Sequence, residues 1–268
     1  SPLPVELLLE PRAIDWRVRG HTLATAGLRH LSYHDKRLQF QADLPRLDAY
    51  TDPVLVISMN YRMIRSLFEA DVFRRRARAL GLPHAAPPFL VADAFDMLFA
   101  PALALRQEMH EMRKALAPLE DGSFIAVHLR TGQVAWDPAR HDGPEELQVF
   151  LECARKAEAD LGLPSETPWL LATDSAQLAE AAAKLPEASA GKLRVPAAKG
   201  RVHIDRSELT DTLEGASANY AEWLLFGKAA AVVMSRSYFG ETAAEVGRIR
   251  HAYFAPGGGC VRTDLSSS

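Results

Sequence analysis

From residue 124 onwards, short apolar runs alternate with segments of helical pattern, and this alternation constrains the fold more than any other feature. The apolar runs have the length of buried strands, and glycine or proline often ends the segments between them. Strands that alternate with helices indicate a parallel sheet covered by helices on both faces. The sequence therefore predicts an α/β domain. The expected strands are 124–129, 169–173, 192–195 and 230–234, and the expected helices are 145–161, 176–185, 216–228 and 242–248.

The residues before this region are patterned more weakly. A β-branched run at 54–58 predicts a buried strand, and residues 67–80 predict an amphipathic helix with an arginine-rich, solvated face. A long helical stretch is expected over 89–116, interrupted near Pro101. The stretch 118–122 has the Pro and Gly content of a boundary. We expect two domains, 1–118 and 119–268.

Charge and hydropathy narrow the class of protein. The net charge of −3 over 268 residues provides no basic field for nucleic acid, so an anionic ligand needs a local site. No apolar run approaches the roughly 20 residues of a membrane span, so any membrane attachment would need an anchor outside these residues. Because the sequence opens on Ser1 and Pro2, we expect a fragment or a processed form.

The sequence contains two cysteines, Cys153 and Cys260. They are too few for a disulfide framework and lack the Cys-x-x-Cys spacing of metal or redox sites. Two ordinary thiols are the expected interpretation. The alternative is a single bridge that ties the tail to the domain, which a secretory lumen would permit.

Polar side chains come directly after three of the expected strands, where ligands bind in open parallel sheets. The first strand ends at His128 and Arg130, the second at Asp174 and the fourth at Ser235. Arginine offers a planar, permanently charged fork that matches phosphate oxygens. The segment 237–242 opens a helix, whose N–H groups form a ready anion site. Together these segments predict a site for a nucleotide diphosphate.

Each of these residues also has a structural interpretation. His128 and Arg130 alternate along a strand and should point to one side, and a lone strand-end histidine is often structural. Asp174 and Ser237 could each cap a helix without binding a ligand. His203 and Asp205 follow the third strand and could contact ribose or guanine, or could belong to a loop with internal ion pairs. Because three segments converge at one sheet edge, the ligand-binding interpretation is favoured.

The sequence lacks the motifs of several other classes of enzyme and nucleotide-binding protein. The sequence has no Gly-x-Gly-x-x-Gly or P-loop, no Gly-x-Ser-x-Gly elbow and no His-Glu-x-x-His. The nine histidines show no metal-ligand spacing, and the absence of Asp-x-Asp disfavours metal-dependent binding of a sugar nucleotide. Arg130 and a helix start can instead stabilise a departing diphosphate.

Three short motifs, in this order, resemble those of the fucosyltransferase superfamily that includes the α1,6- and α1,2-fucosyltransferases and the protein O-fucosyltransferases. The first is similar to the family's His-x-Arg motif, in which the arginine contacts the β-phosphate of GDP-fucose. In the third, Ser237, Tyr238 and Phe239 take the places of the phosphate- and base-contacting turn residues. The motifs are Phe124–Arg130, Leu171–Ser175 and Trp223–Phe239.

This resemblance implies a Rossmann-like GT-B fold with the donor bound mainly by the C-terminal half, and an N-terminal half that is incomplete because the family's Asn-Arg loop is not seen. It implies metal-independent, inverting transfer of fucose from GDP-fucose to a glycan or protein hydroxyl, with no cofactor beyond the donor substrate. A Golgi or secretory-lumen location follows if an anchor is present. Glu222 would substitute for the family's guanine-reading acid. The implied donor-binding residues are Arg130, Asp174, His203, Asp205, Glu222, Ser235, Ser237, Tyr238 and Phe239.

Catalysis needs charge stabilisation on the diphosphate and a base for the acceptor hydroxyl. Arg130 and the Ser237 turn can supply the first, and His128 and Asp137 are candidates for the second. One alternative is a pseudo-glycosyltransferase that binds nucleotide without turnover, which the missing Asn-Arg loop favours. Another is a transferase for a different nucleotide sugar. The sequence does not specify the acceptor, the linkage or the oligomeric state.

Overall fold

The structure is a computed structural model that describes residues 9–11, 28–32, 54–58, 70–79, 81, 89–116, 119–131, 144–196, 213–235, 237–255 and 259–265. The strands within these ranges are β1 Leu9–Pro11, β2 Leu28–Ser32, β3 Val54–Ser58, β4 Phe99–Pro101, β5 Ile125–Leu129, β6 Trp169–Thr173, β7 Leu193–Arg194, β8 Ala231–Met234, β9 Ala252–Phe254 and β10 Val261–Thr263. The helices are α1 Asp71–Ala79, α2 Leu90–Leu98, α3 Leu103–Ala115, α4 Pro144–Leu161, α5 Ala176–Ala183, α6 Pro186–Ser189, α7 Leu213–Phe226 and α8 Tyr238–Val246.

A six-stranded sheet in the order β10-β9-β8-β5-β6-β7 organises the C-terminal part of the chain. All neighbouring strands are parallel except β9 and β10, which are antiparallel. After β5 the chain adds β6 and β7 on one side and then returns to place β8 on the other side of β5. The strand order therefore reverses between β5 and β8, which is where ligands bind in sheets of this kind.

Helices cover both faces of this sheet because its central strands are apolar on both sides. In β5, Ile125, Val127 and Leu129 face α4 and α5, whereas Ala126, like Phe124 just before the strand, faces α7 and α8. Every residue of β5, β6 and β8 is buried. Such runs suit a parallel sheet between two helical layers.

Two glycines bring α7 and α8 into close contact near their C-terminal ends. A Cβ on Gly247 would overlap the Gly227 carbonyl oxygen, and a Cβ on Gly227 would lie 2.8 Å from the Ala243 carbonyl oxygen, so neither position has room for a larger residue. This contact fixes the end of α8 that lies away from the carboxyl edge of the sheet.

Helices α2 and α3, which precede β5, pack against α7 and α8. Arg248, just after α8, forms ion pairs with Asp93 and Asp96 of α2, and the Glu245 carboxylate accepts a hydrogen bond from the Val91 N–H. α3 packs against α7. Two small sheets belong to this part of the chain, antiparallel β1–β4 and parallel β2–β3. The division at residue 118 stays a prediction.

The predicted α/β, Rossmann-like fold is confirmed, including the interruption near Pro101, where β4 separates α2 from α3. Several helix bounds differ from the expected ones: α7 runs over Leu213–Phe226 rather than 216–228, and two other differences have a local cause. The last helix begins at Tyr238 rather than residue 242, because the Ser237 side chain caps it. The helix from Ala176 ends at Ala183, and Pro186 begins the short helix α6 instead of only ending its predecessor, since proline suits a first helical position.

The expectation that both cysteines are ordinary thiols is wrong, and the alternative, a single disulfide, is confirmed. Cys153 of α4 and Cys260 form a disulfide with a Cα–Cα distance of 5.3 Å. The bridge ties the β9–β10 hairpin to the helical layer. As for membranes, none of the described helices combines the length and apolar character that a bilayer crossing requires.

Candidate functional site

The carboxyl ends of β5, β6 and β8 carry the polar residues that the sequence singles out. Arg130 directly follows β5, Asp174 follows β6 and Ser235 follows β8. The register pairs Leu129 with Thr173, so the chain after each strand starts at the same level of the sheet. The structure thus brings the three residues together at the point where the strand order reverses.

Hydrogen bonds join these strand ends beyond the sheet ladder. Ser235 Oγ accepts from the Arg130 N–H at 2.9 Å, and the Ser235 N–H donates to the His128 carbonyl at 3.0 Å. On the other side, Asp174 Oδ1 accepts from both the N–H and the hydroxyl of Thr131, at 2.8 and 2.9 Å. Residues 128–131 are therefore held from both neighbouring strands.

Asp174 is not a helix cap. Ser175 caps α5 by accepting from the Leu178 N–H at 3.2 Å. The capping interpretation of Asp174 is wrong because its carboxylate oxygen is engaged by Thr131, one strand away.

Arg130 presents a charge at this edge that the described residues do not neutralise. Its side chain is half-buried, and its Nε is buried without a hydrogen-bond partner within the described ranges. It forms no ion pair with any carboxylate in those ranges. The Nε of Arg74, Arg113 and Arg194 is likewise buried without a partner among the described residues, so this feature alone does not identify a site. Arg130 differs in its position at the point where the strand order reverses, where an unpaired cation is a candidate phosphate ligand.

His128 is buried on the α7/α8 face, where its ring stacks on Phe239 at 5.0 Å and meets Phe226 edge-on at 6.1 Å. Burial lowers its pKa from 6.5 to about 4, Arg130 adds to this effect and Asp174 opposes it. The ring is therefore neutral at pH 7. A base with so low a pKa accepts protons poorly near neutrality, which favours the structural interpretation of His128.

The start of α8 faces the same edge. The buried Ser237 hydroxyl accepts from the Phe239 N–H at 3.3 Å, and Tyr238 is exposed. Gly240 allows a close approach to the strands, because a Cβ there would lie 3.2 Å from His128 Nδ1. The N–H groups of a first helical turn and the positive end of the helix dipole favour an anion.

The other predicted residues lie either on α7 or outside the described residues. Glu222 is half-buried near the end of α7, beside Trp223, whose indole N–H donates to Thr242 Oγ1 at 3.1 Å. Its guanine-reading role stays a prediction. Asp137, His203 and Asp205 lie outside the described residues.

Thr131 belongs to the site, but nothing in the sequence pattern singles it out. The residue belongs to no recognisable motif, and its hydrogen-bond partner Asp174 lies 43 residues further along the chain. Only the parallel pairing of β5 with β6 places it beside Asp174.

Comparison with known proteins gives structural matches without sequence matches. No protein-family model matches the chain, and no curated protein is significantly similar to it. A mutant of Arabidopsis thaliana FUT1 in complex with GDP matches with a TM-score of 0.55 at 17% identity, over 88% of this chain and 54% of that one. NodZ α-1,6-fucosyltransferase soaked with GDP-fucose matches with a TM-score of 0.49 at 16% identity, over 86% and 65% of the two chains.

A further structure of fucosyltransferase NodZ, from Bradyrhizobium, gives a TM-score of 0.47 at 16% identity, over 86% of this chain and 63% of that one. The chain thus spans about half the length of the FUT1 structure and under two thirds of the NodZ structures. At these identities the likeness concerns the fold, which is the fold that the three motifs implied.

Proposed function

We propose that this chain is the donor-binding part of a glycosyltransferase that moves fucose from GDP-fucose to a hydroxyl of a glycan or protein. The observation that carries the proposal is Arg130, a half-buried cation with an unpartnered Nε within the described ranges, at the reversal point of the sheet. The start of α8 supplies a second anion-binding group at the same edge. A structure that shares the fold is in complex with GDP.

The proposed reaction is an inverting displacement. The acceptor oxygen attacks the anomeric carbon of fucose, the bond to the β-phosphate oxygen breaks, and GDP leaves with the bonding electrons while a base takes the acceptor proton. Arg130 and the first turn of α8 would stabilise the charge that develops on the diphosphate. The neutral His128 would hold Phe239 in place, and Asp137 remains the candidate base.

An oxidising compartment such as the secretory lumen is part of the proposal. The Cys153–Cys260 disulfide supports it, because such bridges form and persist in oxidising environments.

Calorimetric titration with GDP tests the proposal through Arg130→Ala. Loss of charge-assisted hydrogen bonds to phosphate should weaken GDP binding by about 100-fold or more. Thermal unfolding without ligand should change little, because the Arg130 side chain forms no ion pair within the described ranges and its Nε has no hydrogen-bond partner there. Arg78→Ala removes an exposed arginine on α1 and is the matched control, with GDP affinity unchanged.

Equal GDP affinity in wild type and Arg130→Ala would contradict the proposal, as would a preference for UDP over GDP. Release of GDP from GDP-fucose in the presence of an acceptor panel then separates transfer from binding. GDP binding without turnover would favour the pseudo-glycosyltransferase alternative.

A further inference from the structure

We propose that Thr131 and Asp174 form a clamp that positions Arg130 for the donor diphosphate, and that neither residue contacts the donor itself. The inference rests on the proposed function and changes the role of Asp174 within it. The motif resemblance implies a donor contact for Asp174, whereas the geometry points to a positioning residue that acts through Arg130.

The hydrogen-bond geometry of Thr131 leaves it no free donor for an anionic ligand. The residue is 3% exposed, and both of its donors, the backbone N–H and the hydroxyl, are directed to the same oxygen, Asp174 Oδ1. A threonine has no other hydrogen-bond donor. Thr131 therefore serves to connect the chain after β5 to the chain after β6.

The clamp acts where the sheet ladder has ended. The last register pairs are Leu129 with Thr173 on one side of β5 and His128 with Met234 on the other. Beyond them, the backbone at residue 130 is fixed by the Ser235 hydroxyl and the backbone at residue 131 by Asp174. Arg130 thus extends from a backbone that is held on both sides.

Such fixation has a direct consequence for binding. A cation on a fixed backbone loses less conformational freedom when it meets phosphate, so its contribution to affinity is larger. The clamp predicts that Asp174 affects binding of the diphosphate but not of the nucleoside part. A direct ribose or guanine contact predicts that both are affected.

The two possibilities are separated by titrating GDP and GMP, since GMP lacks the β-phosphate that Arg130 is proposed to hold. Thr131→Val keeps the shape and the N–H but removes the hydroxyl, and should weaken GDP binding about 5-fold. Asp174→Ala removes both bonds and should weaken it about 30-fold. GMP affinity should stay within about twofold of wild type in both variants.

Conservative variants check that the effect comes from the hydrogen bonds. Thr131→Ser keeps both donors and should restore the loss seen in Thr131→Val. Asp174→Asn keeps an acceptor oxygen without the charge and should retain more GDP affinity than Asp174→Ala. Thr167→Val alters a buried threonine at the opposite edge of the sheet and controls for lost stability.

Equal losses for GDP and GMP would overturn the clamp in favour of a direct contact, and unchanged GDP affinity in Asp174→Ala would overturn it outright. Failure of the wild-type chain to bind GDP would instead contradict the proposed function. Amide hydrogen exchange then tests the clamp without ligand. Slow exchange at Thr131 that accelerates in Asp174→Ala supports it, and fast exchange in the wild type contradicts it.

Discussion

The two edges of the six-stranded sheet use the same kinds of side chain in opposite ways. At the amino edge, Trp169 opens β6 in contact with two cations and a carboxylate. At the carboxyl edge, Arg130 and His128 lie next to Asp174 and Phe239. Each edge therefore combines cation, aromatic ring and acid.

At the amino edge, the polar groups satisfy one another. The Trp169 indole N–H donates to Glu158 at 2.8 Å, and the Lys192 ammonium donates to the same carboxylate at 3.0 Å and to the Ser165 carbonyl at 2.6 Å. Lys192 also lies 4.2 Å from the centroid of the Trp169 ring. This closed network stabilises the fold and offers little to a ligand.

At the carboxyl edge, hydrogen bonds fix the backbone, while two side-chain nitrogens lack partners within the described ranges, Arg130 Nε and His128 Nδ1. Charged side chains alone therefore do not identify a ligand-binding site. The distinguishing property is whether neighbouring residues already satisfy the charge. Variants at the amino edge should therefore change stability, and variants of Arg130 at the carboxyl edge should change binding.

The largest effect on stability is expected for Glu158→Ala at the amino edge. The substitution leaves the Trp169 N–H and the largely buried Lys192 without their carboxylate, which should lower the free energy of unfolding by about 3 kcal/mol. Chemical denaturation measures the loss, and GDP affinity should not change. Glu152→Ala, at an exposed position of α4, is the control. A loss of GDP affinity in folded Glu158→Ala would contradict the claim that the amino edge affects stability but not binding.

The second effect is a pH dependence at the carboxyl edge. Because the pKa of His128 is about 4 in the folded chain and 6.5 in the unfolded chain, the unfolded state binds more protons between these values. Stability should fall as the pH decreases from 7 to 4.5, by roughly 2 kcal/mol from this residue.

Comparison of unfolding free energies at pH 7 and pH 4.5 measures this contribution. His128→Phe keeps a ring between Phe226 and Phe239 but does not titrate, so it should lose less stability on acidification than wild type. His110→Gln alters an exposed histidine of α3 and should behave as wild type. Parallel pH curves for wild type and His128→Phe would contradict the burial of a neutral imidazole.

The smallest effect is expected for Arg155→Ala. Arg155 is half-exposed, pairs with Glu187 and lies 5.6 Å from the Trp169 centroid, beyond the closer Lys192. Exposed ion pairs and cation–π contacts contribute about 0.5 kcal/mol each. Thermal unfolding should therefore shift by only a few degrees. A loss comparable to that of Glu158→Ala would show that the amino-edge network extends to the solvent-exposed cation.

The sequence predicts the central part of the fold because its signals there are local. The strands at 125–129 and 169–173 each have four apolar residues out of five, and the helix at 144–161 is followed by Gly162. β9 and β10 have three residues each, too few for a periodic pattern, and depend on pairing with their neighbours. Helical periodicity places the start of α8 at residue 242, which is four residues late, whereas the Ser237 cap that the sequence also suggested sets the observed start.

The candidate site is predictable only in part, for a similar reason. Arg130 and Ser237 are visible because each follows a recognisable strand. Whether Asp174 caps its own helix or binds elsewhere depends on Thr131, which only the folded sheet brings near. The Cys153–Cys260 bridge joins residues 107 positions apart, which no local pattern can specify.

That bridge divides the molecule in a way that secondary structure does not reveal. It closes a covalent ring that contains β6 and β8 but leaves β5, which lies between them, outside. Asp174 and Ser235 therefore belong to the ring, whereas Arg130 and Thr131 are supplied from outside it. A backbone cut between residues 131 and 144 would leave the two parts of the site joined by non-covalent contacts alone. A cut between α6 and α7 would leave Arg130, Thr131 and Asp174 on one fragment and Ser235 linked to them through sulfur.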